Sequence, residues 1–172
     1  MNLSDDDFTL FDLPQRFAVD RAELDARWRA LQSEAHPDRF AADGASAQRL
    51  AMQWSVRINE AYRRLKDPLA RATYLCELRG APVRAEDNTA MPAAFLMQQM
   101  AWREALDEAE TLDAVEALND DVRADERRRL ASVAAALDDV GDATAAAAEV
   151  RALMFVARFR QDIARRLEAL EH

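Results

Sequence analysis

The sequence predicts an all-α protein. Half of its 172 residues are apolar, yet it holds only three Gly and five Pro. Alanine, arginine and leucine are abundant, and these side chains lose little rotamer freedom in a helix. No run of alternating β-branched residues reaches strand length. The apolar residues recur at helical spacing, in segments broken by Pro, Gly and Asp.

The opening stretch "FTLFDLP" places Phe8, Leu10, Phe11 and Leu13 too densely for a free tail, so it should pack on the rest of the chain. Asp20 reads as an N-cap, with Glu23 three residues on in a capping-box pattern. From there Leu24, Trp28, Leu31 and Ala35 form one apolar helix face. Pro37 ends this helix, because proline disfavours the α conformation in the residue before it. The loop "ADGAS" follows, with Ser46 or Asp43 as the next helix start. Ala51, Ser55, Ile58, Tyr62 and Leu65 then continue the helical period until "KDP" stops it. A third piece, Leu69 to Arg79, runs to Gly80, a natural C-cap. Two helices with one apolar face each and a short loop between them should form an antiparallel hairpin. His36, Pro37 and Asp38 then lie at its tip.

"GAPVRAEDNTAMP" contains a Gly, two Pro and an Asn, and marks the domain boundary. The reading is a first domain over 1–79, a linker over 80–91 and a second domain over 92–172. Beyond the linker, helical patterns cover roughly 92–110, 112–139 and 143–170, broken at "TLD" and "VGD". The middle one should bury Val115, Leu118, Val122, Leu130, Val133 and Leu137. The last should bury Val156, Phe159, Ile163, Leu167 and Leu170. Three amphipathic helices with short links predict an antiparallel bundle.

The net charge of −9 argues against a nucleic-acid binder. It is unevenly placed: residues 1–79 carry 13 acidic and 12 basic side chains, residues 80–172 carry 19 and 11. Residues 21–79, taken alone, hold 8 acids and 11 bases. A mildly basic hairpin is joined to an acidic second half, which fits two different partners or simply a solvated surface. The single Cys76 excludes an internal disulfide and a multi-cysteine metal cage, and reads as a small buried hydrophobe. "MNLSDDDFTLF" has no signal-peptide pattern and no apolar run approaches a membrane span, so the expected location is the cytoplasm. Trp54 receives no role.

His36 and Asp38 could be read as a catalytic pair, but acid–base work needs a sheltered pocket and a hairpin tip is exposed. There is no glycine-rich phosphate loop and no nucleophile elbow. Two residues do not make a metal site. No catalytic residue, metal or cofactor is expected. The plain alternative is that Pro37 ends a helix, Asp38 caps a loop and His36 faces water.

Context favours more than that. The order helix, "HPD" loop, helix, with "INEAYRRLKDP" in the second helix, resembles the J-domain of DnaJ-type co-chaperones. The resemblance implies that His36, Pro37 and Asp38 dock on a DnaK-class chaperone and trigger its ATP hydrolysis. It also implies basic helpers, for which Arg27, Arg29 and Arg39 are the candidates. "FTLFDLP", "HPDRF", "PLARATYL" and "AFLMQQMAWREALDE" together look like the bacterial HscB-type J-protein of iron–sulfur cluster assembly. That family pairs an N-terminal J-domain with a C-terminal three-helix bundle. It binds an IscU-type scaffold and delivers it to HscA, a specialised DnaK-class chaperone. The eukaryotic members' cysteine-rich N-terminal module is not in this sequence, which favours the bacterial form.

On a helical wheel, Phe95, Trp102, Leu106 and Ala109 cluster within about 60° as a core stripe. Leu96, Met97 and Met100 fall on the other side, and Glu104 and Glu108 continue that outer face. Such residues are either covered by a neighbouring element or form a binding surface. The resemblance implies the second, with scaffold contacts at Leu96, Met97, Met100, Glu104, Glu108 and Phe155. It also implies an acid where this chain has Ala101, which would weaken the polar part of the contact. Two rival readings stand beside this one: a J-protein with another client, and a helical adaptor with an incidental "HPD".

Overall fold

The computed structural model describes residues 1–85 and 91–172. Of the expected linker over 80–91, residues 86–90 lie outside the described residues. The described residues form seven α-helices, a 3-10 turn and a π-helical stretch, with no strand among them. The all-α reading holds. No described helix is long and apolar enough to cross a membrane.

The chain divides into two compact units, Met1–Leu75 and Cys76–His172. This division lies upstream of the boundary read from sequence. Gly80, at φ 76°, does end its helix: Ala81 N–H donates to the Cys76 carbonyl at 2.8 Å and Gly80 N–H to that of Glu77 at 3.1 Å, a Schellman closure. The last turn nevertheless belongs to the second unit. Cys76 is fully buried there, its thiol 3.8 Å from the Ala143 carbonyl. Arg79 donates to the Leu137 carbonyl at 2.5 Å. A glycine stops a helix, but side-chain packing decides which unit owns the turn before it.

In the first unit, α1 (Asp7–Leu10) is a single turn capped by Asp6, which accepts from Thr9 N–H at 2.9 Å. Phe8, Leu10 and Phe11 are buried as expected. Asp7 is also fully buried, which the run "DDD" does not announce. Its carboxylate lies 2.8 Å from Arg57 Nη1 and 2.6 Å from Arg64 Nε. Its N–H donates to the Tyr74 hydroxyl at 2.9 Å, and burial pushes that hydroxyl's pKa up. Two guanidiniums offset the desolvation that a buried carboxylate would otherwise suffer.

Helix α2 (Arg21–Ala35) starts at Asp20, whose side chain accepts from Ala22 and Glu23 N–H. Glu23 turns to Arg27 at 2.7 Å, so the reciprocal half of a capping box is not made. Helix α3 (Ala45–Lys66) starts at Gly44, with φ 96° and no side-chain cap. This corrects the expectation of Ser46 or Asp43: the left-handed Gly44 is itself the entry, and Ser46 lies inside the first turn, accepting from Arg49 Nη2 at 3.3 Å. Helix α4 is Pro68–Leu78, and the Asp67 side chain accepts from Ala70 N–H at 3.0 Å.

Between α2 and α3 the core is Leu24, Ala35, Ala51, Ile58 and Leu65. The other predicted core residues, Trp28, Leu31, Ser55 and Tyr62, are only half-buried. Trp28 stacks on Tyr62 at 4.5 Å. Trp28 Nε1 and Gln32 Nε2 both donate to Asn59 Oδ1, at 3.1 and 2.6 Å. Tyr62 donates to Asp25 at 2.6 Å, and with Arg21 holds that carboxyl below its usual range. The helix period correctly identifies which face meets the partner, but hydrogen bonds line its rim.

In the second unit, α5 (Ala93–Glu108), α6 (Leu112–Ala134) and α7 (Ala143–Glu171) form the bundle. Phe95, Trp102 and Leu106 of α5 pack with Val115, Leu118 and Val122 of α6 and with Val156, Phe159 and Ile163 of α7. Thr111 and Asp142 cap α6 and α7 by accepting from Ala114 and Ala145 N–H. Leu130, Leu167 and Leu170 are half-buried where the sequence predicts core. The predicted unbroken helix over 112–139 instead widens into a π-helical stretch, Ala135–Val140, before Gly141 at φ 76°. No residue propensity marks such a widening.

One polar cluster ties the three helices together. Asp125 is buried, with Arg129 Nε at 2.8 Å. Arg129 also donates to Glu149 of α7 and to Gln98 of α5, each at 3.2 Å. Its guanidinium lies 4.4 Å from the Phe95 ring centroid.

Candidate functional site

The first surface is the tip of the α2–α3 hairpin. Helix α2 ends at Ala35, and His36 at ψ 129° turns the chain out of it. Pro37 opens a 3-10 turn, Pro37–Phe40, where its missing N–H leaves nothing unsatisfied. His36 Nδ1 accepts from Asp38 N–H at 3.2 Å. A ring nitrogen that accepts is unprotonated, so neutral His36 carries its proton on Nε2. The Asp38 side chain is 93% exposed, 3.6 Å from His36 Nδ1. The tip therefore presents a fixed imidazole and an open carboxylate.

The basic candidates behave differently. Arg39 turns back and donates to the Ser33 carbonyl at 3.2 Å, satisfying an end group of α2. Arg29 is exposed on α2. Arg27 is tied to its own chain: it donates to the Phe11 and Asp12 carbonyls at 2.9 and 2.8 Å, besides its bond to Glu23. That hydrogen bond to Glu23 raises its pKa further. Arg27 thus clamps the N-terminal segment onto α2, a role that sequence reading missed.

The second surface lies on the bundle. Phe95, Trp102, Leu106 and Ala109 are all buried, as the wheel requires. Leu96, Met97 and Met100 are 46%, 70% and 71% exposed, so no neighbouring helix of the unit covers them. Between α5 and α7 runs a groove of about 930 Å³, lined by Met100, Glu104 and Glu108 on one side and Phe155 on the other. The structure thus brings four of the six predicted residues to one groove. Leu96 and Met97 extend the apolar face beyond it.

The groove floor was not read from the sequence. Trp102 stacks on Phe159 at 5.9 Å, and Phe155 sets its ring edge against Phe95 at 6.5 Å. Asp162 receives Arg103 at 2.9 Å and also pairs with Arg165, and these bonds hold its carboxyl below the usual range. Among the described residues, no three His, Cys, Asp or Glu side chains converge as metal ligands. The described residues thus carry two exposed surfaces, the hairpin tip and the bundle groove.

Comparison with known proteins decides the family. A co-chaperone HscB homolog from Burkholderia mallei is 54% identical to this chain, covering 100% of this chain and 99% of its own length. The chain belongs to the HscB co-chaperone family. A family model described as the HSCB C-terminal oligomerisation domain matches residues 91–164. The solved chaperone HscB from Vibrio cholerae superposes with a TM-score of 0.82 at 35% identity, covering 96% of this chain and 99% of that one. The human co-chaperone protein HscB gives a TM-score of 0.88 at 28% identity, covering 95% and 83%. Membership in the HscB family makes this chain a co-chaperone in iron–sulfur cluster assembly, and not an enzyme.

Proposed function

We propose that this HscB-family chain carries an IscU-type iron–sulfur scaffold to an HscA-like DnaK-class chaperone and stimulates that chaperone's ATP hydrolysis in the cytoplasm. Residues 1–79 act as the J-domain, 80–91 as the linker and 92–172 as the scaffold-binding bundle. The observation that carries the reading is the exposed, backbone-fixed His36–Pro37–Asp38 corner at the end of α2. A groove of Met100, Glu104, Glu108 and Phe155 supplies a client surface.

Neither surface performs chemistry on its own. The tip docks on the chaperone with Arg29 and Arg39 beside it, and Arg27 adds positive potential from behind its own bonds. An acidic partner surface would be steered to such a hairpin. The client's apolar side chains enter beside Leu96, Met97, Met100 and Phe155, where methionine adapts its shape to the partner. Holding client and tip on one chain raises the local concentration of client at the chaperone.

The test is steady-state ATPase of the HscA-like chaperone with and without this protein. Stimulation by the wild type and its loss in His36→Gln is the expected result. Equal stimulation by both would remove the J-domain role. Serine at Leu96, Met97, Met100 and Phe155 should abolish scaffold binding while leaving basal stimulation intact, and unchanged scaffold affinity would reassign the client. A second reading comes from the matching family model, whose description names oligomerisation: the exposed methionines could face a second copy. Sedimentation separates the two, since a self-associating face dissociates more readily when Met97 and Met100 become serine.

A further inference from the structure

The client groove has two walls of opposite character. On α5, Glu104, Asp107 and Glu108 face it, exposed and without an ion pair among the described residues. On α7, the charges are Arg158, Asp162 and Arg165. Asp162 pairs with Arg165 and with Arg103, an α5 residue that also lines the groove, so those three hold one net positive charge and both arginines already have a partner. Arg158 stands apart. It is exposed and has no ion pair among the described residues. Its guanidinium lies 5.6 Å from the centroid of Phe155, the aromatic wall of the same groove.

We infer that Arg158 is a specificity-determining residue of the client groove, which takes a scaffold segment bearing a carboxylate for Arg158 and a basic side chain for Glu104 and Glu108. This rests on the scaffold reading above. The case is one of charge complementarity across an apolar floor. A basic segment alone would satisfy the α5 wall but leave a guanidinium facing it from α7, and like charges across a docked interface oppose binding. A carboxylate there forms a planar, bidentate pair with arginine, a geometry that lysine cannot match. The aromatic face beneath Arg158 restrains its guanidinium before the partner arrives. Opposite charges on opposite walls admit a bound segment in one orientation and reject the reverse. The groove thus selects direction as well as composition.

The experiment measures affinity of the full chain for the IscU-type scaffold by calorimetry, with wild type, Arg158→Glu, Arg158→Met and Arg158→Lys. Arg158→Glu should weaken binding about tenfold or more. Arg158→Met keeps an apolar stem without the charge and should also weaken it, while Arg158→Lys should retain part of the affinity. The sign is informative, because added negative charge on an acidic bundle would strengthen general attraction to a basic partner. Unchanged or tighter binding by Arg158→Glu, or wild-type binding by Arg158→Met, overturns the inference. Reversing one acidic residue of the scaffold to lysine should restore affinity to Arg158→Glu; no single reversal doing so also counts against it. If Met100→Ser weakens binding and the Arg158 variants do not, the groove stands and the Arg158 contact falls. If the wild type does not bind the scaffold, the client reading itself fails.

Discussion

The hairpin tip and the bundle groove are both exposed, yet they take their shapes from different parts of the chain. At the tip, backbone sets the geometry: a helix end, a proline and one hydrogen bond from Asp38 N–H to His36 Nδ1. In the groove, side chains set it, through the Trp102–Phe159 stack and Phe155 against Phe95. Each is backed by a buried carboxylate under arginine control, Asp7 in one unit and Asp125 in the other. The two clamps differ in redundancy. If Asp7 is lost, Arg57 keeps the Leu3 and Asp5 carbonyls but Arg64 keeps no hydrogen-bond acceptor among the described residues, whereas Arg129 keeps Glu149 and Gln98 if Asp125 is lost. A recognition surface can therefore be local in sequence while the rigidity behind it is not.

The largest test of that difference is Asp7→Ala. Removing one partner of a buried charge cluster costs about 3–5 kcal/mol. Thermal unfolding should show a destabilised first unit, with chaperone stimulation lost and scaffold affinity kept. A melting curve like the wild type's would break the parallel between the clamps. Asp125→Ala should cost less, about 1–3 kcal/mol, because the arginine keeps other acceptors. Denaturant titration of both variants ranks them, and a larger loss at Asp125 would reverse the proposed order of redundancy. Asp20→Ala removes the cap of α2 and should cost about 1 kcal/mol, measurable in the same titration, with the tip's ATPase stimulation nearly unchanged. The smallest effect concerns Asp162 in the groove. Its pKa is depressed by Arg103 and Arg165, so its contribution is present above the ordinary aspartate range and is lost as the pH falls below about 4. Asp162→Asn should flatten stability against pH in that acid window only, since an exposed pair is screened by solvent. A difference confined to neutral pH would assign Asp162 another role.

Much of this was legible. Asp20, Gly80, Thr111 and Asp142 punctuate the chain with side-chain or backbone chemistry that acts within four residues, so the helices could be placed. The outward direction of Leu96, Met97 and Met100 follows from a 100° rotation per residue. Other features were not legible for equally physical reasons. Asp7 and Asp125 sit in charged runs that look solvated, because what buries them lies on other helices. Arg27 reads as a free cation until the Phe11 and Asp12 carbonyls are brought to it. An acid and a base at 125 and 129 would flag a helical pair, but not its burial.

The amino-acid sequence by itself determined the main helices, the Asp20 cap and the Gly80 stop, the apolar face of each main helix and the three residues at the tip. All of these depend on short-range rules of backbone conformation and helical period. Only the tertiary structure decided that α4's last turn packs with the second unit, that Asp7 and Asp125 lie inside, and that Phe155 faces Met100 and Glu104 across one groove. Those outcomes depend on which distant side chains meet, and local propensity carries no information about that.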